Sequence, residues 1–241
     1  MVMRFKEFFQ DDVDDEQNLS EGYAKKGFAY EKLIVNKLKK HGLMSKQAKA
    51  AGSSGSAADG HMVVGGYKHD IEIKKDRGAM MGQIELHHHP ERGWHISDRS
   101  RTNYPKTAEH LDKSGFLKDV NKQWGKPSGN YERDLKMGNV YKHVEGTDAI
   151  AAHYHNDRST PYMHIGGHGL FHLKKDSAGI GTSRLTGNTQ FRARFKARKK
   201  DKVTGKRSYG ALVVMSLREP NSSKVSLDSD EHIKNIAREV K

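Results

Sequence analysis

The run Asp70-Ile71-Glu72-Ile73-Lys74 alternates charged and apolar side chains without a break. On a strand, that alternation puts Asp70, Glu72 and Lys74 on one face and Ile71 and Ile73 on the other. Glu72 and Lys74 then stand about 6–7 Å apart along the strand. A hairpin pairing can bring Asp59, at the start of the preceding strand, towards the same end of the sheet. Two carboxylates and a lysine are what metal-assisted phosphodiester hydrolysis requires. Hard oxygen ligands hold Mg²⁺, which keeps several of its own waters and bridges to a phosphate oxygen. The metal lowers the pKa of a bound water and offsets charge developing at phosphorus. A nearby lysine orients the attacking water or stabilises that charge. Taken alone, an E-x-K strand is more often a solvated face with a weak ion pair, so other residues must decide.

Three features bear on that choice. Glu31 shares a helix face with Ile34, Val35 and Leu38. It is either a helix-edge carboxylate reaching water or a further ligand offered from a helix packed beneath a sheet. Asp59 follows the small-residue run GSSGSAA at 52–58. That reads as a turn aspartate, or as backbone kept slim because a nucleic-acid strand passes over it. Gly82-Gln83 then opens the next strand, and Trp94 follows its turn.

The elements that must position these residues can be read around them. Residues 1–18 carry Asp11, Asp12, Asp14, Asp15 and Glu16 and read as a loosely held acidic arm. A helix is expected from a Ser20 cap to a stop before Gly42, with Leu33, Ile34, Val35 and Leu38 as its apolar positions. DGHMVV and YKHDIEIK flank Gly65-Gly66, a two-residue hairpin signal. QIELHHH and GWHISD form a second hairpin around Pro90 and Gly93. One or two short helices are expected between 100 and 137, around Leu111, Phe116, Leu117 and Val120. Strands return at 161–173, 190–199 and 208–217, and a short helix closes the chain at 228–240.

Glu31 on a first helix, the approach SGSAA to Asp59, the strand Ile71-Glu72-Ile73-Lys74, then Gly82-Gln83 and a Gly93-Trp94 strand together resemble the PD-(D/E)XK nuclease superfamily. The nearest match is to its phage-encoded endonuclease-like and Holliday-junction-resolvase-like members. The resemblance covers roughly residues 20–98, with Ala58 standing where the family has its proline. It implies an α/β fold, a mixed central sheet flanked by helices as in restriction endonucleases. It also implies Mg²⁺ or Mn²⁺ held by Asp59, Glu72 and the Ile73 carbonyl, with Glu31 as the helix carboxylate. Lys74 would serve the attacking water and Gln83 would support the site. On this reading a nuclease core spans 19–136 and a basic, β-rich extension spans 137–241.

Lys and Arg outnumber Asp and Glu by 43 to 30, a net +13 that favours a polyanionic partner. The best candidate surface is the strand at 190–199. Arg192, Arg194, Lys196 and Arg198 occupy one face while Phe191, Ala193, Phe195 and Ala197 occupy the other. Cations about 7 Å apart along a strand approach the spacing of phosphates in nucleic acid. Lys199, Lys206 and Arg207 extend the row around the following turn. Such contacts position a DNA backbone without reading bases. The alternative is a solvated hairpin.

No run approaches the roughly 18 apolar residues of a spanning helix, and the acidic start does not read as a secretory signal. With no cysteine, disulfides and thiolate metal sites are excluded. A cytoplasmic protein is expected, in the host cytoplasm if phage-encoded. Two alternatives stay open. One is a non-catalytic DNA-binding protein of nuclease ancestry. The other is a histidine-metal nuclease, since His87 and His89, and likewise His153 and His155, would share faces if they lay on strands. A homodimer is also left open, because cutting both strands of a duplex usually calls for two sites.

Overall fold

The computed structural model describes residues 12–47, 58–200 and 207–239. Helix α1 spans Asp12–Lys40, so it begins ahead of the expected Ser20 cap. The acidic residues from Asp12 to Glu16 form its first turns, where the helix dipole favours negative charge. Of the arm expected at 1–18, residues 1–11 lie outside the described residues. Ile34, Val35 and Leu38 are buried along the helix, whereas Leu33, off that stripe, is exposed.

The expected hairpins are present. Strands β1 (Gly60–Val64) and β2 (Tyr67–Lys74) pair antiparallel, with Gly60 opposite Ile71 and Val64 opposite Tyr67. Gly65 and Gly66 both take positive φ, 57° and 79°. That is the mirror-image turn whose twist matches two flanking strands, and only glycine adopts it twice without strain. Strands β3 (Met80–His89) and β4 (Gly93–Ile96) form the second hairpin.

Between 98 and 135 lie four short helices rather than one or two: α2 (Asp98–Asn103), α3 (Pro105–Lys113), α4 (Phe116–Gln123) and α5 (Tyr131–Leu135). Strand β5 (Val140–Glu145) follows, then α6 (Asp148–Ala151), which runs on into a π-helical turn over Ala152–Asn156. His153 and His155 therefore lie on a helix, not a strand. The segment Ala149-Ile150-Ala151-Ala152 favours helix and lacks strand alternation. Strands β6 (Tyr162–Ile165), β7 (Gly169–His172), β8 (Ser183–Arg184), β9 (Asn188–Lys200) and β10 (Arg207–Arg218) precede α7 (Asp230–Glu239).

These strands build two five-stranded sheets, ordered β1-β2-β6-β7-β8 and β4-β3-β10-β9-β5. One is curled into a half-barrel, and helices flank the pair. The first sheet is mixed: β2 runs parallel to β6, and β7 parallel to β8. The second is antiparallel throughout. Each sheet takes strands from both sides of residue 136.

Two apolar cores result. One face of the first sheet, with Ile71, Ile73, Tyr162 and Leu170, packs with Ile34, Val35 and Leu38 of α1 and Ile233 and Ile236 of α7. The other face contributes Met163, Ile165 and Phe171 to a core shared with the second sheet and with Phe116 and Val120 of α4. Glu72 is in register with Met163, and Lys74 with Ile165. The charged face of β2 therefore points towards this second core, not into open water. Among the described residues no helix is long and apolar enough to cross a membrane.

Candidate active site

Asp59 sits one residue ahead of β1 and is buried. Its Oδ2 accepts a hydrogen bond from the Ile73 N–H at 2.8 Å, tying the residue before β1 to the end of β2. Glu72 is buried as well, with Oε1 accepting from Lys74 Nζ at 2.6 Å. Its second oxygen, Oε2, has no hydrogen-bond partner among the described residues, although Arg158 Nη1 stands 3.7 Å away. A buried carboxylate oxygen without a hydrogen bond is costly unless a cation compensates it.

Burial, together with the neighbouring Glu72 carboxylate, pushes the Asp59 pKa up to about 7, against the pull of Lys74 and the Ile73 N–H. Glu31, half-buried on α1, is also raised, by burial first; Lys74 opposes the shift and Glu72 adds to it. Glu31, Asp59, Glu72 and Lys74 thus lie within each other's electrostatic reach, although they come from a helix, a loop and a strand. Burial disfavours the Lys74 ammonium, but Tyr154, Glu72 and Asp59 outweigh it and hold its pKa above the ordinary value. Lys74 therefore carries its proton at neutral pH.

The segment 147–160 adds side chains that no sequence signal attached to this site. Lys74 Nζ lies 5.6 Å, and the Arg158 guanidinium 5.1 Å, from the centre of the buried Tyr154 ring. Burial also raises the Tyr154 pKa, so its hydroxyl stays protonated. His153 is pushed down to about 3 by burial, with the Arg158 and Lys74 charges adding to the shift, and is therefore neutral. Its ring packs 4.7 Å from Tyr104, and Nδ1 lies 3.4 Å from Thr107 Oγ1. Gly82 makes room for that ring: a Cβ there would lie 2.7 Å from His153 Cδ2.

A second cluster braces α1 beside Glu31. Tyr30 Oη donates to Asp228 Oδ1 at 2.5 Å and lies 2.9 Å from His164 Nε2. The glycine-rich turn after β6 fits against the same strand end. Gly166 N donates to the Lys74 carbonyl at 2.9 Å, and a Cβ at Gly166 would meet the Lys75 carbonyl at 2.1 Å. That turn is a tight crossing which glycine alone permits.

Gln83 is not brought to the carboxylates. It pairs with Val214 in the second sheet, and alternation along β3 turns it away from the side on which Gly82 meets His153. It lines a 570 Å³ cavity with Arg99, Asn103, Tyr104, Lys196 and Leu212. On β9, Phe191, Ala193 and Phe195 are buried, while Arg192 and Arg194 are half-buried and Lys196 is exposed. The side chains of Arg198, Lys199 and Arg207, and Lys206 entirely, lie outside the described residues, as does the small-residue run up to Ala57.

Among the described residues, no three or more His, Cys, Asp or Glu side chains are gathered so that they could hold a metal ion. This covers the histidines: His88 packs on Trp94 at 5.2 Å and His89 faces His95 at 6.4 Å. The donors at Asp59 and Glu72 nonetheless fit a hard divalent cation in kind. They are carboxylates crowded enough to raise Asp59, with one buried oxygen of Glu72 free of hydrogen bonds. No family model, curated protein or solved structure matches this chain.

Proposed function

We propose that this chain is a metal-dependent nuclease that hydrolyses DNA phosphodiester bonds, built on a restriction-endonuclease-like core. The observation that carries this reading is the convergence of Glu31, Asp59, Glu72 and Lys74 at one buried strand end, with one Glu72 oxygen left without a hydrogen bond. Asp59 and Glu72 would hold Mg²⁺ or Mn²⁺, with the Ile73 carbonyl and Glu31 alongside and water and phosphate filling the remaining positions. The cation would supply an acidified water and offset charge on the phosphate oxygens.

The chain's own residues divide the remaining work. Lys74 holds its proton and so acts as a donor, orienting the attacking water or meeting charge as it develops. Glu72 fixes that ammonium by a short charge-assisted bond. Asp59 needs its proton displaced before it can bind a cation. Arg192, Arg194 and Lys196 offer cations along β9 to a DNA backbone, without base readout. A homodimer would supply the two sites that cutting both strands requires.

The test is incubation of supercoiled plasmid and of a branched junction with Mg²⁺, Mn²⁺ or EDTA. Metal-dependent nicking or linearisation supports the proposal, and the preferred substrate names the role. Binding without cutting under any metal points instead to a recognition protein of nuclease ancestry.

A further inference from the structure

A cleft of 570 Å³ opens where β3 and β10 meet the junction of α2 and α3. Its floor belongs to the second sheet. Glu85 of β3 is in register with Leu212 of β10, and Leu212 with Arg194 of β9, so the three share one face. Gly210, opposite Lys196, has no side chain to fill the space beside them. The charged face of β9 is therefore continuous with the cleft.

The wall is fixed to that floor. Ser100 Oγ accepts from the Glu85 N–H at 3.0 Å, and the Ser97 N–H donates to the Glu85 carbonyl at 2.9 Å. Tyr104, which joins α2 to α3, donates its N–H to the Ser100 carbonyl at 2.9 Å. Its half-buried ring lines the cleft. Buried His153 backs that ring at 4.7 Å, so the ring is held in place from behind.

Around Tyr104 stand two amides, Gln83 and Asn103, and two cations, Arg99 and Lys196. No hydrogen bond among the described residues occupies any of these five side chains. Glu85 is the one acid among the described lining residues, so the cations outnumber it. An aromatic face stacks a base, amides both donate to and accept from its edge, and cations meet its phosphate. The volume lies inside the range of about 300–1,000 Å³ usual for small-ligand sites. A paired base cannot enter such a cleft, because its faces are stacked and its edge is taken.

We propose that this cleft accepts one unpaired nucleotide of a DNA strand whose backbone follows Arg192 and Lys196 along β9. The base stacks on Tyr104, Gln83 and Asn103 meet its edge, and Arg99 and Lys196 flank its phosphate. The choice of DNA rests on the nuclease reading, and the cleft adds to it a preference for substrates with unpaired segments.

The test is fluorescence anisotropy in EDTA with three fluorescein-labelled probes: a single strand, an abasic strand of the same length, and a duplex. Wild type is expected to bind the single strand about tenfold more tightly than the abasic strand. Tyr104→Leu should abolish that difference and leave affinity for the abasic strand as it was, because the phosphate contacts remain. Equal affinity of wild type for the two strands overturns the proposal, as does a folded Tyr104→Leu that keeps the difference. Should Tyr104→Leu fail to fold, Gln83→Ala/Asn103→Ala decides by the same comparison, since both side chains are exposed. Duplex bound as tightly as the single strand overturns the preference for unpaired nucleotides. Deoxyadenosine monophosphate that displaces the single strand as fully as unlabelled strand does, at equal concentration, assigns the cleft to a free nucleotide and overturns its role on DNA. If no metal supports cutting, the nuclease reading falls, while the contrast between single and abasic strands still decides what the cleft holds.

Discussion

Lys74 reaches back two residues along its own strand and donates to Glu72 at 2.6 Å, with both side chains almost out of water. Removing one member of such a pair strands the other charge. Lys74→Met is expected to cost about 3–5 kcal/mol. Arg158, at 3.7 Å, limits the loss rather than replacing the bond. The double variant Glu72→Gln/Lys74→Met should recover part of that cost, because the buried charge leaves with its partner. Urea denaturation of the two variants checks this, and a double variant less stable than the single one would contradict it.

Asp59 gives the metal-free protein a pH signature. Its folded-state pKa stands at about 7, raised by burial and Glu72 from an ordinary 3.8. A raised carboxylate stabilises the fold fully below the ordinary value, and that contribution is lost as pH rises through the folded one. Wild type should therefore lose stability between about pH 4 and pH 7 relative to Asp59→Asn, whose amide oxygen can still accept from Ile73. Parallel stability-against-pH curves for the two proteins would refute the shift.

Gly82 is required by its surroundings. It takes φ 123°, and a Cβ there would press on His153 and on Met215, each at 2.7 Å. Gly82→Ala combines backbone strain with overpacking and is expected to cost about 2–4 kcal/mol. Because His153 sits beside Tyr104 and within reach of Lys74, cleavage should fall even at temperatures where the variant is folded. Thermal melts and initial rates measured together check both parts.

The cations of β9 should show themselves in salt dependence. If Arg192, Arg194 and Lys196 each meet a phosphate, replacing all three with alanine lowers the slope of log affinity against log salt by about three. Thermal melts accompany the binding series, because Arg192 and Arg194 are half-buried and the Nε of Arg194 is shut away from water. A slope that stays at the wild-type value would move the DNA path to another surface.

What could be read in the sequence was local. Gly65-Gly66 announces its hairpin because two successive positive-φ residues have few other uses, and β2 announces its faces by strict alternation. Glu31 could be placed on the buried stripe of α1 because helical spacing needs no partner to be read. The rest depends on contacts between distant segments. Nothing in YKHDIEIK says that it will run parallel to Tyr162–Ile165, so the burial of its charged face could not be foreseen. Tyr154 and Arg158 reach the site only because that pairing carries their segment there. Gln83 lies one residue from a glycine that touches the site's neighbour, yet strand alternation sends it to the other face. His153 and His155 look paired on a strand, but both lie on the π-helical turn Ala152–Asn156, which buries His153 and leaves His155 only partly covered.

Asp59, Glu72 and Lys74 are proposed to form one working hydrolytic site. The most direct measurement is cleavage of circular plasmid by wild type, Lys74→Ala and Asp59→Asn in Mg²⁺ and in Mn²⁺, with folding checked by circular dichroism and DNA binding by anisotropy. Wild type should cut, and EDTA should stop it. Both folded variants should bind DNA within a few-fold of wild type but lose cutting by about 100-fold or more. A folded Lys74→Ala that cuts at the wild-type rate would contradict that role for Lys74.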